Sequence, residues 1–374
     1  MEMQQMRELG RELAGSLAAR ERASCPDGAV MRRIGAAGLL GAVFPRAYGG
    51  AGCTAQALCE AVIELGESAG DAGLALAWAA HTLACGAPIW RLGSEAQRRR
   101  YLPELAAGRR VGAWAHDERA LVGDPVEVQA RALRRGSGWV LTGRKTWVVN
   151  APIADIFVVT ACTEAGRGAA GVSSFIVERG MPGLMVGPRI ATAGVPTAAI
   201  ADVVFDHCEL GPERLLGAEG GGLSQTCQVV RRWERGLGLA PWVGLVRGAL
   251  AHSLAHSQDF VRVGVRLAES QALRARLADM RIRVALCEHM QGRSAWQLDH
   301  AGAGSARELA VGRLFLGEGI AAIVREAASV CAPQALELGH PVARLVRDVG
   351  FAGRLGVEAD VLRSIIAGSM LGLG

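Results

Sequence analysis

Trp139-Val-Leu-Thr-Gly-Arg-Lys-Thr-Trp-Val-Val-Asn-Ala151 lies where the chain changes character. Upstream of about Val111, apolar residues recur at intervals of three and four, as in Leu58, Val62, Leu65 and then Leu74, Trp78. That is the spacing of helices with one buried face. In the quoted stretch, and in Ile156-Phe-Val-Val-Thr160, Ser174-Phe-Ile-Val177 and Ala201-Asp-Val-Val-Phe205, the runs are short, β-rich and bounded by Gly, Asp and Pro. Such runs read as an antiparallel barrel or sandwich. Helical spacing resumes from about Leu223, with Leu273, Leu277, Met280 and later Leu314, Ile320 and Ile323 at core intervals. The expected fold class is α+β, with a helical domain over 1–110, a central β domain over 111–215 and a C-terminal helical bundle over 216–374.

Half of the 374 residues are hydrophobic, enough for a substantial core and too many residues for one small one. Basic residues exceed acidic ones by 41 to 36, but they stand singly or in pairs, which gives nucleic-acid binding no support. Nine cysteines show no C-x-x-C and no paired spacing with histidine, so neither a zinc site nor a disulfide framework is expected. A reducing cytosolic compartment fits that usage. The first residues, MEMQQMRELGRELAGSLAARERA, alternate charge and lack the apolar core of a secretory signal. No apolar run is expected to reach the roughly 18 residues of a membrane span, and the location expected is cytoplasmic. No G-x-G-x-x-G follows a strand, which removes support for a Rossmann dinucleotide site. His252 and His256 share a helix face, but without a third ligand or an H-E-x-x-H glutamate they read as helix surface rather than a metal site.

Four segments carry a family resemblance. They are Phe44-Pro-Arg-Ala-Tyr-Gly-Gly-Ala-Gly52; Gly143 to Ala151 followed by Ala154-Asp155; Phe205 to Leu223, reading FDHCELGPERLLGAEGGGL; and Arg347 to Ile366, reading RDVGFAGRLGVEADVLRSII. Together they resemble the acyl-CoA dehydrogenases over nearly the whole chain. The resemblance implies that Trp147 lies against a flavin ring system, and that Val149 stands where the family has a threonine bonded to the flavin. The usual catalytic glutamate falls on Gly356. In the isovaleryl-CoA and long-chain branches the base sits instead on an earlier helix, immediately before an arginine, and Glu234-Arg235 with Gly356 reproduces that swap. Glu234 is therefore the candidate base, with Arg235 and Gly356 on the substrate side. Taken without its partner position, the dipeptide would be an ordinary helix-surface pair.

The departures from the family cluster on the cofactor's ADP side. An arginine and a phenylalanine of the family become Phe260 and Val263, a Gly-Gly pair becomes Ala332-Pro333, and a threonine becomes Glu358. Arg262 is a candidate displaced cation, and His116 and Gln271 complete the candidate cofactor set. The loop from His116 to Pro125 replaces T-E-P-x-x-G-S-D, is one residue longer and has lost its hydroxyls. The implied activity is FAD-dependent α,β-desaturation of an acyl thioester in a biosynthetic pathway, on an acyl carrier protein or on CoA. It requires an electron acceptor, and a homodimer or homotetramer is expected. Two alternatives stay open: a protein of this fold that has lost FAD and serves as a binding partner or flavin-independent catalyst, and a flavin monooxygenase of the same fold. The colour of bound flavin separates the first, and oxygen uptake addresses the second.

Overall fold

The computed structural model describes residues 3–23, 28–118, 128–262, 264–300, 306–352 and 359–372. The chain opens with helices α1 (Met3–Gly15), α2 (Leu17–Ala23), α3 (Gly28–Ala36), α4 (Ala55–Ala69), α5 (Ala72–Trp78), α6 (Ala87–Leu92) and α7 (Glu95–Ala106). Polar caps set the starts of three of them. The Thr54 hydroxyl accepts from the Ala57 N–H, the Asp71 carboxylate accepts from Leu74, and Ser94 with Gln97 forms a reciprocal capping box.

Between α5 and α6 the backbone remains helical through a π-type stretch, Ala79–Gly86. Ala72–Leu92 is thus one run of 21 residues, long and apolar enough to cross a membrane by length and composition. This corrects the expectation that no run reaches that length. The helix is almost wholly buried inside the protein, so packing rather than lipid covers it. His81 lies in its middle, where its Nδ1 accepts from the Gly112 N–H at 3.0 Å and its Nε2 meets the Leu105 carbonyl at 3.0 Å. Burial pushes its pKa down to about 4, so the ring is neutral and both nitrogens are used.

The central strands are β1 (Gly112–Ala115), β2 (Arg131–Arg135), β3 (Gly138–Val149), β4 (Ile156–Cys162), β5 (Val172–Glu178), β6 (Leu184–Arg189), β7 (Ile200–Leu210) and β8 (Leu215–Leu216). They form one sheet in the order β6-β7-β3-β2-β4-β5-β8, with β1 added beside β4. Most pairs are antiparallel, but β1 runs parallel to β4, with Gly112 opposite Ile156 and Ala115 opposite Val159. The expected antiparallel sheet is therefore mixed. Parallel neighbours need a long connection, and the segment holding β2 and β3 supplies it. Alternate residues of β4 and β5 serve two cores: Ile156, Val158 and Ile176 join the helical core, whereas Phe157, Val159, Phe175 and Val177 fill the core of the β domain.

The C-terminal part holds α8 (Cys227–Leu237), α9 (Ala240–Asp259), the short pair β9 (Val261–Arg262) and β10 (Val265–Arg266), α10 (Gln271–His300), α11 (Ala306–Val330), α12 (Pro341–Ala352) and α13 (Ala359–Leu371). On α11, Leu316, Ile320 and Ile323 are fully buried and Leu314 is half-buried, one position off the inward face. Helices α4 and α9 meet backbone to backbone. A Cβ at Gly66 would lie 2.1 Å from the Pro241 carbonyl oxygen, and one at Gly244 would lie 2.0 Å from that of Ile63. Only glycine fits either position. Asp299 near the end of α10 caps α4 from across the bundle, accepting from Ala55 and Gln56 at 2.8 and 3.1 Å.

Candidate active site

Helix α8 carries Glu234 toward the junction of the helices with the β domain. Its inward residues, Val230, Trp233 and Leu237, follow helical spacing. Gly236 lets α8 approach α10, since a Cβ there would lie 2.4 Å from Leu298, and the Gly236 carbonyl accepts from Gln291 Nε2 at 2.6 Å. Glu234 itself is half-buried. Burial lifts its carboxyl to about 7, with Asp117 pushing the same way and the cations Arg313, Arg235 and Arg231 pulling against it. Arg313 reaches this site from α11. It is buried, burial draws its pKa down to about 10 against the pull of Glu234, and its Nη2 donates to the Ala352 carbonyl at 3.1 Å. Arg235 is also buried, and its Nε has no hydrogen-bond partner among the described residues.

The end of β1 brings Asp117 within electrostatic reach of Glu234, and Thr146 of β3 is bonded to it. Register shifts interrupt the β3–β7 ladder between Lys145 and Val148, and Trp147 sits in that interruption at φ 55°. The strain is held by neighbours: Asp202 accepts from the Trp147 N–H at 3.2 Å and pairs with Arg144. The indole is left 52% exposed, an unusual fate for a large aromatic on a central strand. Val149, two residues on, is half-buried, pairs with Ile200 and packs on the helical core, offering no hydroxyl. The Thr146 N–H donates to the Asp117 carbonyl at 2.8 Å, tying the end of β1 to the Trp147 bulge.

Under that junction lies a polar cluster that sequence reasoning did not anticipate. Lys145 and Glu118 form a buried ion pair at 2.6 Å, and Glu118 also accepts from the backbone of Gln129 and Ala130 at 2.7 and 3.1 Å. The signals were present, because Lys145 lies inside the quoted Gly143–Ala151 motif and Glu118 stands two residues after His116. His116 stacks on Trp114 with ring centroids 5.3 Å apart, and its Nδ1 lies 2.9 Å from Thr160 Oγ1. Burial, with Lys145 and Arg231 adding to it, pushes its pKa down to about 3, so the ring is neutral. Asp117 is exposed at the end of β1, yet burial raises its carboxyl pKa. It is near enough to Glu234 to push that carboxyl upward as well. Arg313 was missed for a simpler reason: it belongs to no motif, and only the packing of α11 brings it here.

Other sequence candidates are not gathered at this junction. Gln271 is the first residue of α10 and is exposed. Arg262 lies on β9, and its side chain is outside the described residues, as are Gly356, Val263 and Glu358. Phe260 ends α9 and stacks on His256 at 5.1 Å. His252 is exposed, with its ring 6.5 Å from that of His340, and no His, Cys, Asp or Glu group among the described residues could hold a metal ion.

Comparison with known proteins places this architecture. The acyl-CoA dehydrogenase N-terminal, middle and C-terminal domain models match residues 3–109, 118–208 and 220–371. The chain is 34% identical over 286 residues to an L-prolyl-[peptidyl-carrier protein] dehydrogenase of Pseudomonas fluorescens, covering 76% of this chain and 75% of that protein. Among solved structures it resembles the prolyl acyl carrier protein oxidase AnaB, with a TM-score of 0.93 and 25% identity over 99% of both chains. It also resembles PigA with FAD and proline, with a TM-score of 0.92 and 25% identity over 99% of this chain and 97% of that one. The three domain models in their order, laid over the helix–sheet–helix arrangement and the relatives just described, make the chain a member of the acyl-CoA dehydrogenase family, an oxidoreductase by kind.

Proposed function

We propose that this protein oxidises a short acyl thioester, borne on the pantetheine arm of a carrier protein, between its α and β carbons. Glu234 takes the α-proton, and FAD is the cofactor. The observation that carries the reading is Glu234 itself, a half-buried carboxyl held at about 7 among Arg313, Arg235 and Arg231. A base poised near working pH is half ionised there and can both take and return a proton. The surrounding arginines also oppose the negative charge that develops on the thioester oxygen as the proton leaves.

The residues present fit the ring portion of FAD. Trp147 offers an exposed indole on a strained bulge, and the residue before it is bonded to the Asp117 carbonyl. When bound, FAD supplies the acceptor for the β-hydrogen as hydride, which no side chain can take. Loss of the α-proton to Glu234 together with loss of the β-hydrogen as hydride would leave a carbon–carbon double bond, with both hydrogens accounted for. Arg235, whose buried Nε has no hydrogen-bond partner among the described residues, would orient the acyl end.

A carrier-borne substrate is supported by the relatives named for prolyl carrier proteins and by the hydroxyl-free loop after His116. A homodimer or homotetramer belongs to the same reading, supported by apolar residues left exposed along α10 and α11: Ile282, Leu286, Trp296 and Phe315. The test is Glu234→Gln. Turnover of a carrier-bound acyl substrate is expected to fall by about 10²–10⁴-fold with FAD content retained. Unchanged turnover would remove Glu234 from the chemistry.

A further inference from the structure

We propose that His116 presents a fixed N–H donor, at Nε2, to an acceptor atom on the edge of the flavin ring. The proton positions follow from counting donors and acceptors along one short chain of contacts. Lys145 Nζ carries three donors and no acceptor, and it reaches Glu118 Oε1 at 2.6 Å, the His116 carbonyl at 3.0 Å and Thr160 Oγ1 at 3.4 Å. Thr160 therefore accepts from Lys145. Its own O–H, in a residue with no exposed surface, has the His116 Nδ1 at 2.9 Å as its remaining partner among the described residues, and an unmade bond there would be costly. Thr160 thus donates and Nδ1 accepts.

Cys227 Sγ lies 3.9 Å from the same nitrogen, and a thiol held in its protonated form can donate to it. Burial does hold it so, pushing the Cys227 pKa up to about 12. A neutral imidazole whose Nδ1 accepts must carry its proton on Nε2. No described residue bonds that nitrogen, and it is not among the side-chain atoms sealed from solvent without a partner. His116 is half-buried, and the residue after it is bonded through its carbonyl to Thr146, next to the exposed Trp147. The backbone that carries the donor is thus joined by a hydrogen bond to the bulge that presents the indole. Where Val149 has no hydroxyl to give, His116 supplies a hydrogen bond from another strand.

This rests on the reading that Trp147 faces the flavin ring. The experiment is titration of apoprotein with FAD, followed by flavin fluorescence, together with the midpoint potential of the bound cofactor. The proteins compared are the wild type, His116→Leu, His116→Gln and Thr160→Val. Loss of one hydrogen bond should weaken FAD binding about 3- to 10-fold in His116→Leu, and should lower the potential, because the ring oxygens and N1, the acceptors meant here, carry more negative charge in the reduced flavin. His116→Gln, which keeps an N–H, should recover most of both. Thr160→Val, which keeps the ring but releases its tautomer, should fall between. Equal affinities and potentials in the wild type and His116→Leu would overturn the proposal, and so would equal damage from Leu and Gln, the pattern of a purely structural residue. Wild-type protein that takes up no FAD at any concentration would sink the FAD reading together with this inference. Wild-type protein that binds FAD indifferently to His116 would sink the inference alone.

Discussion

Glu234 should weaken the fold whenever it is ionised, and Glu234→Gln should therefore strengthen the protein while disabling it. The carboxyl is lifted from 4.5 to about 7, chiefly by burial. That gap corresponds to about 3 kcal/mol of preference for the protonated form in the folded state. The folded pKa is the higher one, so its contribution is fully present below pH 4.5, where both states hold the proton. It declines as the unfolded chain ionises first and is gone above about pH 7. Glutamine is uncharged throughout. The stability gap between variant and wild type should accordingly be smallest near pH 5 and largest at pH 8.5, approaching about 3 kcal/mol. With an unfolding entropy of about 2 cal/mol/K per residue, a chain of 374 residues turns that into about 4 °C of melting temperature. Paired thermal melts of both proteins at pH 5, 6, 7 and 8.5, with equal saturating FAD, measure it. A gap that does not widen with pH, or a variant less stable at pH 8.5, would refute the reasoning.

Two further predictions concern charges around the same site. In the free enzyme kcat/KM should rise with pH through a limb near 7, as Glu234 loses its proton. Arg313→Met, which removes the strongest cation holding that carboxyl down, should move the limb to higher pH; a stationary limb would assign it to another group. Lys145→Met leaves Glu118 buried without its cation and should cost about 3–5 kcal/mol in urea melts. Adding Glu118→Gln should return part of that loss, and a nearly neutral single variant would show that the pair does not hold the segment.

Much of the helical architecture is legible from spacing because burial is repeated along each helix: Leu58, Val62, Leu65 and Trp78 are all buried as their intervals require. Strand direction is another matter. The run around Ile156 announces a strand, but that β1 pairs with it, and in parallel, depends on contacts 44 residues apart, as between Gly112 and Ile156, which local periodicity does not encode. The same division holds at the site. Glu234, Trp147 and His116 stand inside recognisable motifs, so their positions were readable. Arg313 and the Lys145–Glu118 pair act by arriving from distant segments, and the left-handed backbone of Trp147 arises from a ladder irregularity that no tryptophan spacing signals. Gly356 lies outside the described residues, and Glu234 is set by burial and by the arginines around it.

The glycine contacts between α4 and α9 bear on how the chain becomes a protein at all. Gly66 and Gly244 meet each other's helices with no side chain between them, although 177 residues, including the entire eight-stranded sheet, lie between them in sequence. With the Asp299 cap on α4 added, the first and last thirds of the chain behave as one cooperative body, and the β domain as an insertion into it. A ribosome releases the two halves of that body far apart in time. The N-terminal helices must wait, with a bare backbone groove exposed along α4, until the last third emerges. Folding governed by such distant closures is slow, and the unfilled groove is the surface on which the nascent chain is most exposed to the wrong partner.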